Sequence, residues 1–240
     1  MNKNITKSDL IDNPTTRVPV CLCLDTSGSM TSQESDETDS FPGAFTKSRI
    51  DALNEGINLF YDAVRNDEIA SFAVDVSIVT FDSEAKCISD FRCVGEENPP
   101  PLLAFGMTAL GEGVNLALDL LEKRKGEYKS TGVDYYQPWL VLMTDGEPNG
   151  STEELSRAMA RCTQLADAKK LSIFPILIGE ETSANILAGF SPKRKPLHLK
   201  GIKFKEFFEW LSKSTQAVSR STPGENVPLD MEGIKDWGTI

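Results

Sequence analysis

The chain has 240 residues, 40% of them hydrophobic and 25% charged, which is the composition of a globular protein and not of a disordered or fibrous one. Its 25 basic and 36 acidic residues give a formal net charge of −11. That surplus excludes nucleic acid and anionic membranes as expected partners, because both are bound through clustered lysine and arginine.

The apolar runs, the cysteines and the single histidine bear on where in the cell the protein is found and on which metal sites it can form. Segment 1–13 is polar and mixed in charge, unlike a secretory signal, and no apolar run approaches the roughly 20 residues that span a bilayer. We therefore expect a cytoplasmic protein without a membrane segment. The five cysteines are expected to be buried free thiols, and the single histidine, His198, excludes a histidine-rich metal site.

The first half of the chain alternates between strand and helix patterns. A continuous apolar run over 18–24 predicts a strand buried on both faces. Helical spacing of apolar residues over 50–64 predicts a helix. Apolar and polar residues alternate over 73–81, which predicts a half-exposed strand, and the turn after it predicts a hairpin partner over 85–91.

The second half continues the alternation. Ser151 followed by Glu154 is a capping box that opens a further helix, and Pro175 removes one hydrogen-bond donor from the strand that contains it. The remaining predicted elements are a helix over 110–121, a strand over 139–143, a strand over 171–178 and a helix over 204–211. Together these elements predict an α/β fold: a doubly wound, mostly parallel sheet with one antiparallel edge strand and helices on both faces.

Ligands of such sheets bind where the carboxyl ends of the strands meet. Three segments are expected there: 25–29 (DTSGS), 106–108 (GMT) and 144–148 (TDGEP). They offer two carboxylates and three hydroxyls, which are the all-oxygen ligands that hard divalent cations prefer. The sequence therefore predicts a site for a cation such as Mg²⁺ at this edge of the sheet.

The oxygen-bearing residues of these three segments resemble those of a known family. Asp25, Ser27, Ser29, Thr108 and Asp145 match, in order, the metal-ion-dependent adhesion site (MIDAS) of von Willebrand factor A domains. The resemblance covers about residues 17–219, and it divides the chain into an N-terminal arm (1–16), the domain (17–219) and a C-terminal tail (220–240). The tail is expected either to lack fixed structure or to dock through Trp237. The compact chain, its 81–83 hairpin and its 219–224 ending also look like the bacterial tellurite-resistance TerY-like group.

The resemblance implies a role for each matching residue. Ser27, Ser29 and Thr108 would bind the cation through their hydroxyls, and Asp25 and Asp145 would act partly through water. Mg²⁺ is the expected cation, with Mn²⁺ and Ca²⁺ left open. An aspartate or glutamate of a protein partner would complete the coordination shell.

Two departures from the family pattern concern the rim of this site. Met107 stands where many relatives have a second glycine, which predicts a different loop rearrangement on ligand binding. An acidic insert over 31–46 follows the first loop; it is either a solvated loop or the source of a carboxylate that occupies the metal position at rest. The candidate partner-binding residues are Glu34, Asp36, Glu37, Asp39, Met107 and Glu147.

The expected function is a metal-dependent protein-binding adaptor that is not an enzyme. By resemblance it would serve a bacterial stress-resistance or defence system, with a Ser/Thr protein kinase and a PP2C-type phosphatase as partners. One alternative is a Mg²⁺-dependent phosphotransferase or phosphatase with Asp25 as nucleophile, although Ser27 stands where such enzymes need an acid. The other alternative is an accessory subunit of an AAA-type ATPase.

Overall fold

The structure is a computed structural model that describes residues 8–34, 47–95, 98–178, 184–199 and 204–229. Asp36, Glu37 and Asp39, and the part of the tail from residue 230 onward, lie outside these described residues. Among the residues described, no helix combines the length and the apolar character needed to cross a membrane.

The described residues form a six-stranded sheet with helices on both faces. The strands are β1 (Val18–Asp25), β2 (Gln33–Glu34), β3 (Lys47–Ser48), β4 (Val74–Phe81), β5 (Ala85–Cys93), β6 (Trp139–Thr144), β7 (Ser172–Ile178) and β8 (Leu197–Leu199). The helices are α1 (Ser8–Asp12), α2 (Arg49–Arg65), α3 (Ala70–Ala73), α4 (Leu110–Thr131), α5 (Thr152–Asp167), α6 (Ala184–Ala188) and α7 (Phe204–Ser219). The sheet order is β5-β4-β1-β6-β7-β8, and β2 pairs with β3 separately.

The predicted fold class is confirmed. Each pairing in the main sheet is parallel except that of β4 with β5, which forms the predicted hairpin at the edge. β1 lies at the centre, and all eight of its residues are buried. Its alternate side chains supply two separate cores: Val20 and Leu22 pack with residues of α2 and α7, whereas Cys21 and Cys23 pack with residues of α4 and α5.

Helix starts follow the capping residues in the sequence. The Ser151 side chain accepts a hydrogen bond from the Glu154 backbone N–H, which confirms Ser151 as the N-cap of α5. The reciprocal half of the predicted capping box is not formed, because the Ser151 N–H donates to Oε1 of Glu112. Ser48 caps α2 in the same way by accepting from the N–H of Asp51. Helices α4 and α5 approach closely at Gly111, where an added Cβ would lie closer than 3.0 Å to the backbone of Leu155.

The prediction of a half-exposed strand over 73–81 is wrong. All eight residues of β4 are buried, including Asp75. The Asp75 carboxylate accepts hydrogen bonds from Arg17 (Nη1, 3.1 Å), Arg124 (Nη2, 2.8 Å) and the Tyr128 hydroxyl (2.6 Å). The alternation of polar and apolar residues therefore reflects a buried charge network and not a solvent-facing side of the strand.

Two smaller expectations also need adjustment. Cys87 is exposed, so the expectation that all five cysteines are buried is wrong, although all five are free thiols. Pro175 lies inside β7 as predicted, but β8 pairs with β7 only from Ile176 onward. At Pro175 the strand has a neighbour on one side only, where a missing donor is tolerated.

Candidate metal centre

The site is built on the carboxyl ends of two neighbouring parallel strands. Asp25 is the last residue of β1 and Thr144 the last of β6, and the register pairs Leu24 with Met143. The Thr144 hydroxyl donates a hydrogen bond of 2.5 Å to Oδ2 of Asp25. Asp145 follows directly, so the strand pairing brings both predicted carboxylates to one edge of the sheet.

The loop after β1 connects the two carboxylates through hydroxyl groups. Oδ1 of Asp25 accepts from the N–H of Ser27 at 2.8 Å, the local turn that aspartate side chains favour. Ser27 Oγ lies 3.0 Å from Ser29 Oγ, and Ser29 Oγ donates to Oδ1 of Asp145 at 2.6 Å. We call Asp25, Ser27, Ser29 and Asp145 the oxygen cluster. Four of the five predicted metal ligands are therefore joined directly.

Thr108, the fifth predicted ligand, lies on an adjoining loop. This loop is fixed to the first one because the N–H of Gly28 donates to the carbonyl of Gly106 at 3.1 Å. The N–H of Thr108 donates to Oδ1 of Asn149 at 2.6 Å, and its carbonyl accepts from the N–H of Asn149. Within the described ranges, the Thr108 hydroxyl makes no hydrogen bond to the oxygen cluster.

The two carboxylates of the cluster differ in their electrostatic surroundings. Burial raises the pKa of Asp25 to about 6, against the opposing effect of hydrogen bonds from Ser27 and Thr144, and the charge of Asp145 raises it further. No ion pair of Asp25 occurs among the residues that the structure describes. Asp145, by contrast, pairs through Oδ2 with Nη1 of Arg49 at 2.8 Å.

Arg49 is a site residue that the sequence analysis missed. It is the first residue of α2, and its N–H donates to the carbonyl of Ser32 at 3.0 Å. The short β2–β3 ladder, which pairs Gln33 with Ser48, joins the two ends of the acidic insert and places Arg49 beside Asp145. These contacts span the insert, so no local pattern in the sequence indicates them. Thr144 was also missed, although it directly precedes Asp145.

The candidate partner-binding residues are only partly described. Glu147 and Met107 are both exposed, as a partner-binding role requires. Glu34 lies in β2, where its backbone pairs with that of Lys47 in β3. For Asp36, Glu37 and Asp39 the predicted role stays a prediction, since they lie outside the described residues.

Exposed apolar side chains border the oxygen cluster. Leu103, Phe105 and Met107 are 74%, 55% and 53% exposed, and we call them the apolar rim. Their loop is held in place, since the N–H of Phe105 donates to the carbonyl of Thr26 at 2.9 Å and that of Met107 donates to Oγ of Ser83 at 3.1 Å. Only Met107 was named from the sequence. Neighbouring exposed apolar residues on a fixed loop are typical of an interaction surface.

The donor set suits a hard divalent cation. It consists of two carboxylates and three hydroxyls, with no sulfur or imidazole, and the described residues hold no cluster of three or more His, Cys, Asp or Glu side chains that would form another kind of metal site. The buried Asp25 carboxylate, which lacks a cationic side chain beside it, fits the same assignment. Asp25, Ser27, Ser29, Thr108 and Asp145 are therefore the residues that would hold Mg²⁺.

Comparison with known proteins gives a match in structure alone. No protein-family model matches the chain, and a search of curated proteins finds no match. The von Willebrand factor type A protein from Catenulispora acidiphila matches with a TM-score of 0.55 and 16% identity, over 85% of this chain and 43% of its own. This chain has the von Willebrand factor A fold. The domain of the type V pili tip protein Mfa5 from Porphyromonas gingivalis agrees, with a TM-score of 0.57 and 12% identity, over 88% of this chain and 99% of its own.

A third similar structure comes from a mussel byssus protein. Proximal thread matrix protein 1 from the mussel byssus, solved with zinc occupying its MIDAS motif, matches with a TM-score of 0.51 and 15% identity, over 85% of this chain and 48% of its own. The chain thus spans about half the length of two of these three structures. At such identities the likeness establishes the von Willebrand factor A fold.

Proposed function

We propose that this chain is a non-enzymatic protein-binding module that holds a divalent cation, Mg²⁺ in the cell, between Asp25, Ser27, Ser29, Thr108 and Asp145. The observation that carries the proposal is the oxygen cluster, in which two buried carboxylates are joined through two serine hydroxyls at the carboxyl edge of the sheet. Two carboxylates face one guanidinium, that of Arg49, so this edge keeps a negative charge that attracts a cation.

The bound cation would offer a coordination position to an aspartate or glutamate of the partner. Neutral hydroxyls supply three of the five ligands, and Arg49 shares the charge of Asp145, so the chain itself neutralises the ion incompletely. The apolar rim would contact apolar residues that flank the partner's carboxylate. Affinity would then depend on both the ion and the rim.

The geometry of Asp25 argues against the phosphotransferase alternative. Its side chain is buried, and each oxygen accepts a hydrogen bond, one from Ser27 and one from Thr144. A nucleophilic carboxylate must reach the phosphorus atom, and its leaving group needs an acid where Ser27 stands. An accessory role beside an AAA-type ATPase would use the same binding face, so it is a variant of the module proposed here.

The cellular setting rests on resemblance. A Ser/Thr kinase and a PP2C-type phosphatase as partners, a stress-resistance or defence system, the TerY-like group and a cytoplasmic location all stay predictions. The division into arm, domain and tail stays one too. The von Willebrand factor A fold also occurs in a pilus tip protein and a byssus protein, so the fold by itself does not select among these settings.

Metal binding is tested first by electron paramagnetic resonance. Mn²⁺ replaces Mg²⁺ in this experiment, because the resonance signal of the free Mn²⁺ ion disappears when the ion binds to the protein. The wild type should bind one Mn²⁺, and Mg²⁺ should displace it. Ser29→Ala removes the hydroxyl that joins Ser27 to Asp145 and should weaken binding about 10–100-fold. Ser32→Ala is the matched control, since this exposed serine follows on the same turn. Equal affinity in all three proteins would refute the assignment of the ligands.

Partner binding is tested by affinity capture from lysate with Mg²⁺ or with EDTA. A specific partner should be captured by the wild type and by Ser32→Ala in Mg²⁺, and lost with EDTA or with Ser29→Ala. Replacing the acidic residues of its binding segment by amides should abolish the interaction. Capture that is the same in Mg²⁺ and in EDTA, and the same for the wild type and Ser29→Ala, would contradict a role for the ion in binding.

A further inference from the structure

A second cavity lies at the opposite pole of the domain. It has a volume of about 560 Å³ and is bordered by the first residues of β6 and β7, Trp139 and Ser172. The loop before β8 and segment 224–227 close its other sides. The oxygen cluster lies at the carboxyl ends of β1 and β6, so the two sites are separate. Small-molecule sites span roughly 300–1,000 Å³, and this pocket falls within that range.

The pocket concentrates positive charge in an acidic protein. Lys169, Lys193 and Arg194 line it, together with a single carboxylate, that of Glu225. The whole chain carries a net charge of −11, so this grouping runs against the overall composition. Lys193 is already paired, since its Nζ lies 3.1 Å from Oδ1 of Asp167. Lys169 and Arg194 therefore give the pocket its attraction for anions.

Arg194 lines the pocket, and the one hydrogen bond of its side chain among the described residues is weak. It is half-buried, its Cζ lies 4.6 Å from the ring centre of Phe174, and Nη1 donates a long bond of 3.3 Å to the carbonyl of Ile173. Burial lowers its pKa below the ordinary value. Throughout the described part of the chain, no carboxylate pairs with this guanidinium. A half-buried cation without a counterion is stabilised by an anionic ligand.

Lys169 occupies a backbone conformation that favours glycine. Its φ is 54°, the one positive value of a non-glycine residue in the described segments, and it follows Ala168, the C-cap of α5. Side chains are disfavoured relative to glycine in this left-handed region. Such strain is typical of positions where the side chain has a function, and here it places an ammonium group at the pocket wall.

The rest of the wall is mixed in polarity. Its apolar side chains are Tyr136, Trp139, Ala166, Leu171, Ile173, Val218 and Val227, and its uncharged polar ones are Gln137, Ser172, Ser191 and Asn226. A protein partner would need roughly 800 Å² of surface on each side, whereas a partly open pocket that combines apolar side chains with two cationic ones suits a small molecule. We propose that this pocket binds a small organic anion with a flat apolar body, whose charged group is held by Arg194 and Lys169.

The test uses a matched pair of fluorescent probes. One is the anion 8-anilino-1-naphthalenesulfonate and the other is N-phenyl-1-naphthylamine, which has the same rings without the charge. The wild type should bind the anion at one saturable site, about tenfold tighter than the neutral probe. Arg194→Gln and Lys169→Gln should each weaken the anion about tenfold and leave the neutral probe unchanged.

Two control variants exclude other sites for the probes. Lys205→Gln removes an exposed lysine of α7 outside the pocket, and Phe105→Ser removes an apolar side chain of the rim; both should bind the anion as the wild type does. Lys169 is exposed, so its variant keeps the test valid even if Arg194→Gln unfolds. Equal affinity for the anion in wild type and Lys169→Gln, or loss of binding with Phe105→Ser, would overturn the proposal.

Discussion

Replacing Arg49 by glutamine separates the chain's own cation from the divalent cation proposed for the same site. In the wild type, Nη1 of Arg49 lies 2.8 Å from Oδ2 of Asp145, and the two side chains are 14% and 0% exposed. The Arg49→Gln variant therefore leaves a buried carboxylate next to Asp25 without its cationic partner. We expect the variant to be less stable without metal and to respond more strongly to Mg²⁺.

The magnitude follows from the burial of the pair. Removing one partner of a fully buried ion pair costs about 3–5 kcal/mol, but glutamine still donates a hydrogen bond and Arg49 is partly accessible. We therefore expect a loss of about 2 kcal/mol in EDTA, a figure within the range for hydrogen bonds to charged groups. In a domain of this size that lowers the melting temperature by about 4–8 °C. Without the repulsion of the guanidinium, the affinity for Mg²⁺ should rise about tenfold. At saturating Mg²⁺ this gain restores about 1.4 kcal/mol of the stability that the substitution removes.

The assay is thermal unfolding followed by circular dichroism, in EDTA and in saturating MgCl₂. Arg65→Gln serves as the control, because Arg65 lies on the same helix and pairs with Asp62 at the surface, where such pairs contribute below about 1 kcal/mol. The melting temperature of Arg49→Gln should be well below that of the wild type in EDTA and approach it in MgCl₂. An equal deficit in both buffers would refute the view that Arg49 and the metal share Asp145.

Two further predictions concern stability. Asp75→Asn should destabilise the fold by about 3–5 kcal/mol, because the buried Arg17 and Arg124 lose the carboxylate that both of them contact; a loss below about 1 kcal/mol in urea unfolding would contradict the network. On helix α4, Gly111→Ala should destabilise by about 1–3 kcal/mol through overlap with α5, whereas Gly126→Ala, which meets nothing within 4 Å, should stabilise by about 0.4–1 kcal/mol. A melting temperature that rises with Gly111→Ala, as it should with Gly126→Ala, would show that the approach of α4 to α5 is not tight.

The elements that a local pattern can specify were predicted correctly. The buried run that becomes β1, the hairpin of β4 and β5 and the Ser151 cap all depend on residues close together in the chain. The proximity of the four residues of the oxygen cluster was predictable in the same way, because Asp25, Ser27 and Ser29 are close in sequence and Asp145 follows a strand that pairs in parallel with β1. Parallel pairing converts strand ends that are distant in sequence into neighbours.

What the sequence could not specify depends on contacts between distant residues. Asp75 was assigned to a solvent face because nothing near it indicates Arg17, Arg124 or Tyr128, which lie 58, 49 and 53 residues away. Arg49 and Asp145 are separated by 96 residues. Polar residues at long separation have no periodicity, so only the folded chain shows that they neutralise each other.

The position of β1 at the centre of the sheet has a consequence for synthesis on the ribosome. β1 pairs with β4 on one side and with β6 on the other, and the register of the second pair places Val20 opposite Trp139. A nascent chain that has not yet exposed β6 presents an apolar strand with unpaired N–H and C=O groups, which is an open edge for aggregation. Asp145 emerges directly after β6. The last residue of the oxygen cluster therefore leaves the ribosome at nearly the same stage as the strand that completes the centre of the sheet.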